Sequence, residues 1–85
     1  MFEIKYSNQS RKFLKKCDKV LLSRIINKLE ELKKEPIIHD TKTIEGYNEK
    51  LFRVRIGDYR ILYEIDYDSK KIGIIKIDKR SKVYE

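Results

Sequence analysis

KLFRVRIGDYRILY, residues Lys50–Tyr63, decides how the rest of the chain is read. Phe52, Val54 and Ile56 alternate with Leu51, Arg53 and Arg55. Beyond Gly57-Asp58, Tyr59, Ile61, Tyr63 and Ile65 alternate with Arg60, Leu62 and Glu64. A period of two sends successive side chains to opposite faces of a sheet. The stretch therefore predicts two β-strands joined at Gly57-Asp58, with one apolar face and one face carrying Arg53, Arg55 and Arg60. Glycine at the break accepts positive φ without steric cost, which suits a tight hairpin. Two readings of the polar face follow. It is the solvated side of a half-buried hairpin, or its guanidinium groups converge on a phosphate backbone, to which their planar, permanently charged forks are matched.

Working outward, Asp66-Tyr67-Asp68-Ser69-Lys70-Lys71 reads as a polar turn rather than a metal loop, since no further ligand is spaced to complete a site. A last strand is expected over about Ile72–Asp78. Ile72, Ile74, Ile75 and Ile77 make it apolar on both faces for part of its length, as in a central strand. On the other side of the hairpin, Pro36–Asn48 reads as a loop, ending in a turn at Gly46-Tyr47-Asn48. The single histidine, His39, lies in it and reads as a surface residue. Leu21, Leu22, Ile25, Ile26, Leu29 and Leu32 recur at helical spacing and predict a helix over about Lys19–Lys34. Asp18 is its cap, and Pro36 stops it, with Glu35 biased to extended geometry. A shorter helix over about Asn8–Lys16 is capped by Ser7 and turns Phe13, Leu14 and Cys17 inward. Phe2, Ile4 and Tyr6 alternate with Glu3 and Lys5 in a first strand. The expected order is β-α-α-β-β-β, an α+β fold: an N-terminal strand, an αα-hairpin, then an antiparallel sheet. The helices cover the apolar face and leave the face with Arg53, Arg55 and Arg60 open.

A chain of 85 residues is one small domain, taken as residues 1–85. Its formal net charge of +7 points to a polyanionic partner, whether nucleic acid, membrane surface or acidic protein. The single cysteine, Cys17, excludes an intrachain disulfide and a cysteine metal cluster, and reads as a small core residue rather than a nucleophile. There is no apolar run long enough for a membrane span and no signal core in MFEIKYSNQS, so a cytoplasmic location is expected. No cofactor or metal is expected.

LFRVRIGDYRILYEID (Leu51–Asp66) and IIKIDKRSKVY (Ile74–Tyr84) resemble the RelE/ParE superfamily of toxin–antitoxin toxins, and the likeness runs over essentially the whole chain. The family pattern is a basic strand, a turn followed by Tyr-Arg and an apolar strand ending in Tyr, then a late strand ending in Arg with Tyr four positions on. Here these are Arg53 and Arg55, Tyr59-Arg60, Ile61-Leu62-Tyr63, then Arg80 and Tyr84. The resemblance implies a RelE-like microbial RNase fold and two possible activities. RelE members cut messenger RNA in the ribosomal A site; ParE members inhibit DNA gyrase. It also implies an acidic antitoxin partner in a hetero-oligomer and, for a RelE-type activity, the ribosome and its mRNA. Arg60 matches the phosphate-stabilising Arg, and Arg80 and Tyr84 the late basic residue and terminal Tyr. Arg53 and Arg55 fall where RelE enzymes have a basic pair that is often Lys. A nucleic-acid-binding domain without cleavage is a third reading.

Cutting RNA through its own 2′-hydroxyl requires removal of that proton, stabilisation of the phosphorane and protonation of the leaving 5′-oxygen. A histidine pair is excluded, because His39 is alone. Arginine suits the second task and not the first: with a pKa above about 12, its neutral fraction at pH 7 is on the order of one in 10⁵ or less. Electrostatic stabilisation and placement of the RNA are then the main resources of the site. Tyr84 would stack on a base or exchange a proton. Arg60 and Arg80 are both expected to lie off the core.

Overall fold

The structure is a computed structural model, and it describes residues 1–44 and 51–80. Strand β1 (Glu3–Tyr6) leads into helices α1 (Asn8–Lys16) and α2 (Lys19–Lys34), followed by β2 (Lys42–Ile44), β3 (Leu51–Ile56), β4 (Tyr59–Asp66) and β5 (Lys71–Lys79). The five strands form one sheet in the order β1-β5-β4-β3-β2. The α+β architecture and both helices agree with the sequence reading, and two features go beyond it. The segment read as a loop contributes β2, which pairs antiparallel with β3 through Lys42↔Arg53 and Ile44↔Leu51. The sheet is also mixed: β2, β3, β4 and β5 are antiparallel, but β1 runs parallel to β5.

Local chemistry explains the helix ends. The Ser7 hydroxyl oxygen accepts from the Ser10 N–H at 3.1 Å, and the Asp18 carboxylate from the Leu21 N–H at 2.8 Å. Each cap satisfies one of the backbone donors that the first turn leaves orphaned. Glu35, before Pro36, is extended at φ −147° and ψ 100°. Helix α1 also completes the sheet. Beyond Tyr6↔Ile74, β5 has no strand on its β1 side. There the Ser7 hydroxyl donates to the Ile75 carbonyl at 2.7 Å. The Gln9 amide donates to the Ile77 carbonyl at 2.7 Å and accepts from its N–H at 2.9 Å. Those bonds supply the partners a strand would have supplied.

The core lies between α2 and one face of the sheet. Leu21, Ile25, Leu29 and Leu32 pack against Val54, Ile56, Ile61, Tyr63, Ile72, Ile74 and Ile77, with Phe13, Leu14 and Cys17 from the C-terminal end of α1 at its margin. The apolar stripe of α2 is narrower than its sequence suggests, since Leu22 is only half-buried and Ile26 is exposed. On the sheet, Phe52↔Tyr63, Val54↔Ile61 and Ile56↔Tyr59 are cross-strand pairs on one face, as the alternation requires. Strand β5 does not keep a single parity. Leu62 faces Lys76 while Tyr63 faces Ile74, so Ile75 is an extra residue at a β-bulge. The bulge lets Ile72, Ile74 and Ile77 all reach the core although their spacing changes from two to three. It leaves Ile75 exposed and returns Lys76 and Asp78 to the far face.

Tyr63 ties the sheet to the segment after α2. It is fully buried, donates its hydroxyl to the Pro36 carbonyl at 2.7 Å, and shares a hydrogen bond with Thr41 at 3.0 Å. Burial pushes its phenol up to about 12, the Thr41 bond opposing that shift. Beside it, Lys28 and Asp40 form a largely buried ion pair at 3.1 Å. These contacts deliver the chain into β2, and so place Lys42 on the far face of the sheet. The Asp66 connection is a turn, as read: the Ser69 side chain first, and then the Ser69 N–H donating at 3.2 Å, hold its carboxylate below the usual range, and Lys70 takes a left-handed φ of 54°.

Candidate nucleic-acid interface

The β3–β4 hairpin closes through Ile56↔Tyr59, so Gly57 and Asp58 are a two-residue loop. Gly57 has φ +57° and Asp58 does not have positive φ, the φ pattern of a type II′ turn, in which glycine occupies the first central position. Two cross-strand pairs of opposite parity flank this loop. Ile56 and Tyr59 point to the helices, Arg55 and Arg60 to the other face. The register then assembles that face across four strands. One row runs Lys42, Arg53, Leu62, Lys76, and the next runs Arg55, Arg60, Asp78. Arg80 follows β5 at the same end, its N–H bonded to the Asp58 carbonyl at 2.8 Å. Thus Arg53, Arg55 and Arg60 share one sheet face, and Arg80 follows at the end of the sheet where the hairpin turns. Tyr84 and the Gly46-Tyr47-Asn48 turn lie outside the described residues.

The register sets like charges opposite one another. Arg55 stands directly opposite Arg60, and Arg53 directly opposite Lys42. Like charges facing each other across a ladder destabilise it, by roughly the 0.2–1 kcal/mol that a matched pair contributes. Asp78, opposite Arg60, is the acid that the register places beside them. A bound phosphate backbone would convert the repulsion into attraction.

Arg60 departs from expectation. It lies outside the apolar core cluster, on the far face, yet its residue is only 4% exposed, so that face is not open along its whole length; Leu62 beside it is equally buried. The Arg60 Nη1 donates to the Gly57 carbonyl at 3.3 Å and the Tyr59 carbonyl at 3.1 Å. The guanidinium is therefore held over its own turn, and this residue both shapes the hairpin and contributes charge. Arg55 and Arg80 are exposed and Arg53 is half-buried. Lys42 and Lys76 were not singled out in the sequence. Lys42 sits on a strand too short to carry a pattern, and Lys76 follows the bulge, which inverts the parity a regular strand would give it.

Other candidates stay structural. His39 is exposed in the turn before β2. Cys17 closes α1, its thiol donating to the Leu14 carbonyl at 3.6 Å; burial and the neighbouring Asp18 push it up, away from the thiolate a nucleophile needs. Among the described residues no group of His, Cys, Asp and Glu is arranged to hold a metal ion, and no helix is long and apolar enough to cross a membrane.

Comparison with known proteins agrees with this architecture. A protein of Methanocaldococcus jannaschii designated RelE1 is 32% identical over 87 residues, an alignment covering 99% of this chain and 96% of the relative. A chain of the archaeal RelE–RelB complex from Pyrococcus horikoshii OT3 superimposes with a TM-score of 0.82 at 29% identity, covering 95% of this chain and 97% of that one. A chain of the RelBE2 toxin–antitoxin complex from Mycobacterium tuberculosis does so with a TM-score of 0.78 at 25% identity, covering 93% and 98%. The family model described as the ParE toxin of the type II toxin–antitoxin system parDE matches residues 4–84. With the strand order, the basic hairpin and this match over nearly its full length, the chain belongs to the RelE/ParE family of toxins of type II toxin–antitoxin systems.

Proposed function

We propose that this toxin is a ribosome-dependent endoribonuclease that cleaves messenger RNA in the A site by attack of the RNA's own 2′-hydroxyl. The observation that carries this reading is the cationic sheet face, in which Arg53 stands opposite Lys42 and Arg55 opposite Arg60 across the ladder. Successive same-face residues on a strand are about 6–7 Å apart, close to the spacing of phosphates along an extended RNA strand. Arg53 and Arg55 therefore position the RNA backbone. Arg60, oriented by the Gly57 and Tyr59 carbonyls, and Arg80 beside the turn stabilise the charge that builds on the phosphorane. Asp78 is the proton acceptor that the register offers, since the guanidinium groups around it cannot serve. Tyr84 completes the set by stacking or by proton exchange. The cations of the face repel a divalent metal, which fits a metal-independent reaction.

The partner in this reading is an acidic antitoxin that covers the arginine face within a cytoplasmic hetero-oligomer. The Pyrococcus horikoshii relative is found in a RelE–RelB complex and the Mycobacterium tuberculosis relative in the toxin–antitoxin complex RelBE2. A ParE-like toxin that inhibits DNA gyrase is the second reading. The ParE description of the matching family model favours it, as does the presence of Arg rather than Lys at positions 53 and 55. Mapping RNA 5′-ends from expressing cells beside a supercoiling assay separates the two. Codon-phased cuts in translated RNA support the nuclease. Supercoiling loss without ribosome-dependent cuts overturns it in favour of the gyrase inhibitor.

A further inference from the structure

Strand β2 pairs with β3 only as far as Lys42↔Arg53, so the segment of β3 that carries Arg55 lies beyond the end of its edge partner. At that point the sheet face opens around the edge towards α2. A groove of about 270 Å³ lies there, lined by Arg24, Asn27, Lys28 and Glu31 of α2 and by Arg55, Ile56 and Gly57 of the hairpin. Lys28 is engaged with Asp40, but among the described residues neither Arg24 nor Arg55 makes an ion pair or a hydrogen bond. Two exposed arginines thus share one groove with a single carboxylate, Glu31, and neither is ion-paired to it.

The seat of Arg24 is built by the turn. A Cβ at Gly57 would stand 3.3 Å from the Arg24 Nη1 and 3.4 Å from its Nη2. The absence of a side chain at Gly57 lets the guanidinium lie against the hairpin backbone without shifting, and the same residue supplies the positive φ that the turn requires. Arg24 therefore lies against the turn and lines the same groove as Arg55, which also belongs to the candidate RNA face.

We propose that this groove, with Arg24 as its anchor, binds a phosphate of the single-stranded RNA chain where it leaves the sheet face past Arg55. The assignment rests on the RNA-cutting reading for the identity of the strand. Arg24 is a positioning residue: it touches the backbone away from the scissile bond and fixes the register of the RNA on Arg53 and Arg55.

The test is equilibrium binding of the full chain to a short single-stranded RNA in its non-cleavable 2′-O-methyl form, over a range of salt concentrations. Wild type is compared with Arg24→Gln, Arg24→Lys and Lys34→Gln, the last removing the same charge from an exposed site at the far end of α2. One lost phosphate contact on a single strand lowers the slope of log affinity against log salt by about 0.7 and weakens binding at low salt by roughly five- to tenfold. Arg24→Gln is expected to do both, Arg24→Lys to fall between, and Lys34→Gln to leave the slope unchanged. If Arg24→Gln matches Lys34→Gln, or if wild type does not bind the RNA, the proposal is overturned. Loss of antitoxin affinity with unchanged RNA binding also overturns it, in favour of a groove for an acidic peptide. RNA 5′-end mapping of wild type keeps the two claims apart: no cuts in cells with a reduced slope for Arg24→Gln removes the nuclease reading and leaves the phosphate groove standing.

Discussion

Replacing Arg53 and Arg55 together by Gln should make this protein more stable and less toxic at once. Each arginine faces a cation across the ladder, Lys42 for Arg53 and Arg60 for Arg55. At a charge separation of about 7 Å, two unit charges repel by about 0.6 kcal/mol at the dielectric of water and more near a protein surface. Screening at physiological ionic strength, where the Debye length is about 8 Å, reduces this by roughly half. Two relieved pairs then stabilise the fold by roughly 0.5–1.5 kcal/mol. For a chain of this size that is a rise in Tm of roughly 3–9 °C. Glutamine retains most of the side-chain stem and its polarity, so the comparison isolates charge. Thermal unfolding at low salt and again at high salt is the assay. The gain should shrink as salt rises, while RNA cleavage and growth inhibition are lost at every salt concentration. A double variant destabilised by more than about 1 kcal/mol, or a gain indifferent to salt, would show that the arginines serve the fold, and the argument for a site built against stability would fail.

Arg60→Ala should lower cleavage by about 10²-fold or more, and because the side chain is buried over its turn it should also destabilise by about 1–3 kcal/mol; Arg60→Lys, which keeps the charge, should recover more stability than activity. A stable, fully toxic Arg60→Ala protein would contradict the assignment. Asp78→Asn removes the proposed proton acceptor and one negative charge, so kcat should fall while RNA binding holds or tightens; unchanged single-turnover cleavage would exclude the role. Tyr63→Phe leaves the Pro36 carbonyl without its donor and should cost about 1–3 kcal/mol in urea unfolding with little direct effect on chemistry. The Tyr63 phenol is raised from 10.0 to about 12 in the folded chain, so its contribution is present in full below pH 10 and is lost as pH rises towards 12. Tyr63→Phe should flatten that alkaline loss of stability, and an unaltered alkaline limb would argue against the buried phenol as its source. Gly57→Ala strains a left-handed position and crowds Arg24, and should cost about 1 kcal/mol or more, read from thermal unfolding.

Local chemistry determined much of this protein on its own. Ser7 and Asp18 cap the helices because a short oxygen-bearing side chain meets the first free N–H groups wherever it precedes a helical run. The alternation from Phe52 to Ile65 sorted the hairpin into a core face and an arginine face, since a strand admits only two directions for a side chain. Gly57 marked the turn for the same kind of reason. What the tertiary structure decided is non-local. The three residues of β2 carry no period of their own, and they become a strand because Tyr63 holds Pro36 and Thr41 in place beside β3. Nothing in Phe2–Tyr6 states a direction, and β1 lies parallel to β5 through contacts far apart in the chain. The run of isoleucines in β5 hides its bulge, because an apolar residue fits either parity until the register with β4 is known. That bulge is what carries Lys76 and Asp78 to the arginine face. Arg60 and Arg55 look alike in the alternation, yet one is buried over a turn and the other lies exposed beside Arg24. A repeat of two in the sequence specifies a face, and only the packing of distant elements specifies how much of that face water can reach.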